Sequence, residues 1–239
     1  VYAGGGFGGA FMGEQANITL TGANISSNLA QGGNAQNGWF GNGGGVMAIH
    51  SGVTLNRAYI IGNTARGGNG SGGDWGLPNG GGVMVTWTNS NYGSELTVAN
   101  SIIAANQAVT GQGREIVIGG GGGLWIQATN ALIDHSTIAA NVLTGGGLFG
   151  AGIQALNTGG KGASVTIRNS LLTDHRSNVG SAVDTLNVST VTFQNGLFYN
   201  NTYNTSNDNP IVGPNRGTVN GLGSMGSANP QYVSPGGPD

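Results

Sequence analysis

The stretch VTLNRAYIIGN, residues 53–63, follows a pattern that occurs six times along the chain, and this repeat predicts the fold. Each copy has apolar residues at its first, third and eighth positions and a small residue at its sixth. The last position is asparagine in every copy except one. The copies occupy residues 18–28, 53–63, 96–106, 131–141, 165–175 and 191–201. A repeat this regular indicates a stack of similar structural units.

Apolar and polar residues alternate within each copy, as in Val53, Thr54 and Leu55, which is the pattern of a strand with one buried face. The eighth positions are separated by 35, 43, 35, 34 and 26 residues, so the unit is constant while the connections vary. A shorter strand is predicted before four of the copies, at residues 43–47, 80–84, 121–125 and 150–153, where glycines precede apolar residues. These features predict an all-β parallel β-helix of about six coils, a coil being one full turn of the chain.

Two segments are predicted, a parallel β-helix repeat domain at residues 1–209 and a segment rich in proline and glycine at residues 210–239. The second segment is expected to cover the end of the stack or to begin a further coil. Glycine-rich connections at residues 32–45, 67–82, 111–123 and 145–152 are expected to be long loops that leave the stack on one side. Because the chain begins at Val1 without a methionine, we expect it to be a fragment of a longer one.

Stacked coils place equivalent residues about 4.8 Å apart, which is the ordinary spacing of neighbouring strands. The last residues of the six copies are therefore predicted to form a structural ladder of side chains joined from coil to coil. The members are Asn28, Asn63, Asn106, Asn141, His175 and Asn201. The imidazole of His175 is expected to replace a carboxamide in this ladder. The same register predicts an exposed ion pair between Asp134 and Arg168 of the next coil.

Composition excludes several classes of function. A net charge of −2, with 7% charged residues, provides no basic surface for nucleic acid. The chain has no cysteine, and it has no apolar run long enough to span a membrane. No cofactor or metal site is predicted, because the glycine runs lack the periodic aspartate of calcium-binding repeats and precede no helix.

Segments with glycine before apolar residues, and with an aliphatic residue three positions before asparagine, resemble the repeats of polymorphic outer-membrane proteins. These are bacterial surface proteins with a right-handed parallel β-helix. The resemblance extends from residue 1 to about residue 201, and the matching segments are residues 8–11, 25–28, 60–63, 103–106 and 138–141. It implies a right-handed β-helix, a location outside the cell or on its outer surface, and an adhesive or scaffolding role. It supplies no catalytic motif.

Two functions therefore remain open. The first is an extracellular structural or adhesive surface component, with protein subunits or host or cell-surface glycans as partners and with head-to-tail self-association. The second is a carbohydrate-active β-helix, either a polysaccharide lyase or hydrolase or a glycan binder. An enzyme would need clustered acid and base groups on one face, and the candidate catalytic residues are Asp174, His175 and Asp184. The candidates for stacking on sugar rings are Trp39, Trp75, Trp87 and Trp125.

Overall fold

A computed structural model describes residues 4–36, 38–71, 76–86, 94–112, 119–145, 148–175, 181–205, 217–227 and 229. This part of the chain is all-β, apart from one short 3-10 helix at Leu222–Ser224. Its strands form four sheets in which equivalent segments of successive coils pair in parallel. The prediction of stacked parallel strands is confirmed, and the architecture is solenoid-like.

In each of the first four coils the chain passes through the four sheets in turn. The first sheet contains β1 Gly6–Phe7, β6 Gly41–Asn42, β11 Pro78–Asn79, β16 Gly119–Gly120 and β21 Leu148–Phe149. The second contains β2 Phe11–Glu14, β7 Val46–Ile49, β12 Val83–Thr86, β17 Leu124–Gln127, β22 Ile153–Leu156 and β24 Val183–Thr185.

The third sheet is bent, and most coils contribute two strands to it. Its first half contains β3 Ile18–Thr21, β8 Gly52–Asn56, β13 Glu95–Ala99, β18 Asn130–Asp134 and β26 Thr218–Asn220. Its second half contains β4 Asn24–Ser26, β9 Tyr59–Ile61, β14 Ile102–Ala104, β19 Thr137–Ala139 and β27 Met225–Gly226. Both halves are crossed by β23 Ser164–Thr173 and β25 Thr190–Tyr199. The fourth sheet contains β5 Leu29–Gln31, β10 Thr64–Arg66, β15 Gln107–Val109 and β20 Val142–Thr144.

The register between coils is the one that the repeat predicts. Ile60 pairs with Ile25 on one side and with Ile103 on the other, and the same column continues through β19, β23 and β25. The apolar positions of the repeat point inwards and form one continuous core along the stack. Burial of these side chains, at about 25 cal/mol per Å² of apolar surface, is the main force that holds the coils together.

Corners between strands are made by residues in the left-handed backbone conformation, many of which are not glycine. In the residue before the ladder position, φ is 54° at Ala105, 50° at Ala140 and 59° at Asp174. Such a conformation costs about 1–2 kcal/mol for a residue with a Cβ atom. The intrinsic backbone preference of these residues opposes the corner. Its repetition therefore depends on stacking against the corners of adjacent coils.

Small residues at the sixth repeat position face the corner inside the third sheet. The Ser101 hydroxyl donates to the carbonyl of Ala99 at 2.7 Å and accepts from the N–H of Ala58 in the preceding coil at 3.0 Å. Ser136 and Ser170 repeat this arrangement in the next two coils. These hydroxyls satisfy backbone groups that the bend would otherwise leave without partners.

The prediction that the glycine-rich connections leave the stack is wrong for much of their length. Four of the five described strands of the first sheet lie within these connections. The turn after each of these strands stacks on the next coil, with Gly44 N–H donating to Gly80 O at 2.9 Å. Gly81 N–H donates to Gly121 O at 2.9 Å in the next coil. Glycine is present here because the backbones of adjacent coils approach closely.

Gly81 provides a direct test of this close approach. A Cβ atom at Gly81 would lie 2.3 Å from the carbonyl oxygens of both Gln107 and Gly122, which are backbone atoms with little room to move. We expect Gly81→Ala to lower the free energy of unfolding by about 1–3 kcal/mol through overpacking. Gly223→Ala is the control, because a Cβ atom at Gly223 would meet nothing within 4 Å. Equal urea midpoints for the two variants would contradict this account of the turn.

Candidate functional site

The ladder side chains lie just after the corner between the third and fourth sheets. Asn106 is a representative member: its Oδ1 accepts from the backbone N–H of Asn63 at 2.9 Å and from the Nδ2 of Asn63 at 3.0 Å. Its Nδ2 donates to the carbonyl of Ile60 at 2.8 Å and to Oδ1 of Asn141 at 3.0 Å. Every polar atom of this fully buried carboxamide is therefore hydrogen bonded between coils.

His175 occupies the next step of the ladder. Its Nδ1 accepts from the backbone N–H of Asn141 at 3.3 Å, which is the contact that a carboxamide oxygen makes elsewhere in the column. Its Nε2 lies 3.1 Å from the carbonyl of Ile138, in the place of a carboxamide nitrogen. These contacts require a neutral ring with its hydrogen on Nε2. Burial lowers the pKa of His175 to about 4, and the N–H of His175 donates to Oδ1 of Asn201 at 3.0 Å.

Asp174 is the half-buried corner residue just before His175. The hydroxyl of Thr173 donates to its Oδ2 at 2.8 Å, and Nδ2 of Asn200 in the following coil donates to its Oδ1. The carboxylate therefore joins two consecutive corners of the stack.

Asp184 lies on β24 and is fully buried. Its Oδ2 accepts from the backbone N–H of Gly150 and from that of Ser181, the latter at 3.4 Å. In the preceding coil the N–H equivalent to that of Gly150 belongs to Gly121, and it donates to the carbonyl of Phe149. The Asp184 carboxylate thus takes the place of a backbone carbonyl where, among the described strands, the first sheet ends at β21.

The three candidate catalytic side chains do not form one constellation. Asp174 lies at a corner, His175 in the ladder and Asp184 on the second sheet. Within the described residues, no hydrogen bond or ion pair joins any two of them. Each side chain instead satisfies backbone or side-chain groups of neighbouring coils, as expected of structural residues.

A pair that was not among the candidates, Asp134 and His135, lies on the outer surface. Nδ1 of His135 lies 2.8 Å from Oδ1 of Asp134, whose Oδ2 accepts from Nη2 of Arg168 at 2.8 Å. The predicted contact between Asp134 and Arg168 is confirmed, and the Arg168 guanidinium lowers the pKa of Asp134. His135 borders an open groove of about 520 Å³. The repeat aligns equivalent positions of different coils, so it indicates the contact with Arg168 but not a contact between neighbours within one coil.

The tryptophans differ in their surroundings. Trp125 is buried in a small hydrophobic cluster with Met84 and Leu156, so its ring is not available for sugar stacking. Trp39 is 39% exposed, and its backbone is held by hydrogen bonds to Gly33 and Gly68. Trp75 and Trp87 lie outside the described residues. Only Trp39 among the described tryptophans offers an exposed ring.

Other kinds of site were sought in the same part of the chain. The described residues contain no group of three or more histidine, aspartate or glutamate side chains that could hold a metal ion. Within those residues, no helix has the length and apolar character needed to cross a membrane. In comparisons with known proteins, no family model, no curated protein and no solved structure matches this chain.

Proposed function

We propose that this chain is a right-handed parallel β-helix that acts, without catalysis, as a structural or adhesive component on the outside of a bacterial cell. The observation that carries the proposal is that the three candidate catalytic side chains make contacts within the stack. Asp174, His175 and Asp184 are all engaged in contacts between coils. An active site would instead keep such groups directed at a substrate.

A scaffold role also suits the way the fold is stabilised. In a solenoid each coil contacts only its neighbours, so the stack can present a long, regular surface that does not depend on one central core. The buried ladder and the apolar core run along the same axis. This arrangement supports a rigid rod whose surface loops and corners are free to vary.

Self-association of copies head to tail forms part of the proposal. In the first described coil, Phe7, Phe11, Met12 and Leu29 are between 44% and 53% exposed. Their equivalents in the next coil have paired strands on both sides. Strand edges with exposed apolar side chains favour the addition of a further coil, which either more of a longer chain or another copy would supply, and the proposal takes the second of these.

The alternative is a carbohydrate-active enzyme, and Asp134 with His135 is the pair that would serve it. The carboxylate orients the imidazole, as in many general-base pairs. However, the same carboxylate is shared with Arg168 and Asn169, and the His135 side chain is 62% exposed. An exposed pair of this kind resembles a surface network more than an active site.

The proposal is tested by polysaccharide cleavage and by surface labelling. The purified chain is expected to release no reducing ends and no unsaturated uronates from a panel of neutral, uronate-containing and sulfated polysaccharides. Antibodies against it are expected to label intact, unpermeabilised cells of the source organism. Turnover that His135→Gln abolishes and Arg57→Gln preserves would contradict a non-catalytic role. Labelling that appears only after permeabilisation would contradict the surface location.

A further inference from the structure

A groove of about 610 Å³ crosses three successive coils at the end of the fourth sheet. It is formed where the chain leaves β5, β10 and β15. Gln31, Arg66 and Val109 stand side by side in the strand register, so the centre of the groove is the Arg66 side chain. Equivalent positions repeat about every 4.8 Å along the groove.

A second, outer row of carboxamides borders the groove, three residues further along each coil. Oδ1 of Asn34 accepts from the N–H of Asn69 at 2.7 Å, and Oδ1 of Asn69 accepts from the N–H of Gln112 at 2.9 Å. The oxygens are thus directed at the protein backbone. The Nδ2 groups of Asn34 and Asn69 have no partner among the described residues, and both side chains are exposed. The row therefore offers hydrogen-bond donors to a ligand.

Arg66 carries the charge among the described residues that line the groove. Among the residues that the structure describes, the exposed Arg66 guanidinium has no ion-pair partner and no aspartate or glutamate lines the groove. Two backbone acceptors of the groove, the carbonyls of Gly32 and Gly67, are already engaged because they accept from Nε2 of Gln31. A site with a cationic side chain and unpaired amide donors favours a negatively charged ligand that has many hydrogen-bond acceptors.

We propose that this groove binds an extended acidic polysaccharide, with a uronate carboxylate on Arg66 and sugar hydroxyls on the amide groups of Asn34 and Asn69. Sugar hydroxyls can accept hydrogen bonds from these amides, whereas the backbone N–H groups of an acidic peptide need acceptors, and the Gly32 and Gly67 carbonyls are already engaged by Gln31. The repeat of the coils lets neighbouring sugar rings meet equivalent positions. The inference adds a ligand and does not depend on the proposed scaffold role.

The test is titration calorimetry of the 239-residue chain with a polyuronate, with dextran as the neutral polymer and polyglutamate as the acidic peptide. We expect the polyuronate alone to bind, and we expect Arg66→Gln to weaken binding by about 10-fold or more. Arg66→Lys should lie between the two, because it keeps the charge and loses the bidentate fork. Arg57→Gln is the matched control: it removes the same charge at a corner of the third sheet.

Three results would overturn the proposal. One is the absence of polyuronate binding. Another is binding that is equally weakened by Arg57→Gln, since that would reflect overall charge instead of the groove. The third is equal binding of dextran or polyglutamate, which would remove the assigned ligand class. Circular dichroism and thermal melting of each variant establish that it is folded, so that loss of binding is not loss of structure.

Discussion

Replacing Asn106 by leucine is expected to lower the free energy of unfolding by about 3 kcal/mol or more. Leucine has a similar size, but it removes the acceptor for two donors of Asn63 and the donor to the carbonyl of Ile60. It also leaves Oδ1 of Asn141 without the amide of Asn106. Each buried polar group that loses its partner costs about 1–3 kcal/mol, and these groups cannot reach water.

The matched control is Asn24→Leu, which makes the same chemical change at an exposed, outward position of β4, four residues before the ladder residue Asn28 of the first coil. Tyr59 and Ile102 occupy the equivalent positions of the next coils, so an apolar side chain is tolerated there. Urea unfolding followed by circular dichroism measures both variants. If Asn24→Leu shifts the midpoint as much as Asn106→Leu, the ladder does not contribute as the hydrogen bonds indicate.

Acidification is expected to destabilise the chain through His175. Burial lowers the pKa of His175 from 6.5 to about 4, so between these values the unfolded chain binds a proton that the folded chain does not. Stability due to this residue is complete above pH 6.5, and it falls as the pH decreases to 4. The total loss is about 3 kcal/mol. Protonation would also place a hydrogen on Nδ1, so two hydrogen-bond donors, this N–H and the backbone N–H of Asn141, would face each other.

The measurement is the free energy of unfolding at a series of pH values for the wild type and for His175→Asn. Asparagine provides the ladder contacts without a titrating group, so the difference between the two proteins should change by about 3 kcal/mol across this range. The titration of carboxylates is common to both proteins and cancels. His135→Gln is the matched control, because it alters an exposed histidine and leaves His175 in the ladder, so the loss of stability due to His175 should remain. Identical pH profiles for wild type and His175→Asn would show that His175 is not the cause.

Much of the fold could be predicted because residues at the same position of the repeat are paired between adjacent coils. Thr54 stacks between Thr19 and Thr97, and Ile133 between Val98 and Ile167, as the aligned columns require. Alternation of apolar and polar residues determined which face each strand buries. A one-residue slip would turn every buried side chain outward, so the pattern allows a single register.

The strands of the first and fourth sheets were not predicted. Segments such as Gly41–Asn42 and Gly119–Gly120 have only two residues, and their glycines indicate a turn when read alone. Thr64–Arg66 follows a ladder asparagine and has one inward side chain, that of Ala65. Such segments are strands only because adjacent coils supply their hydrogen bonds, and that information is not local.

The candidate site shows a similar limit. Sequence proximity grouped Asp174, His175 and Asp184, but the corner at Asp174 separates its carboxylate from the ladder. The capping of the Gly150 N–H by Asp184 depends on where the first sheet ends, which no repeat column indicates. The groove around Arg66 combines residues that lie in three coils and outside the repeat, so its donors could be recognised only in three dimensions.

The ladder also gives the stack a polarity. The side-chain oxygens of Asn63, Asn106 and Asn141 each accept from Nδ2 of the ladder asparagine in the preceding coil, so the dipoles of these carboxamides point the same way along the axis. At the exposed face of the first described coil, Oδ1 of Asn28 has no donor among the described residues. A copy added there can extend the series of amides only in the same sense. A fibre built in this way would have two chemically distinct ends, and growth at one end would differ in rate from growth at the other.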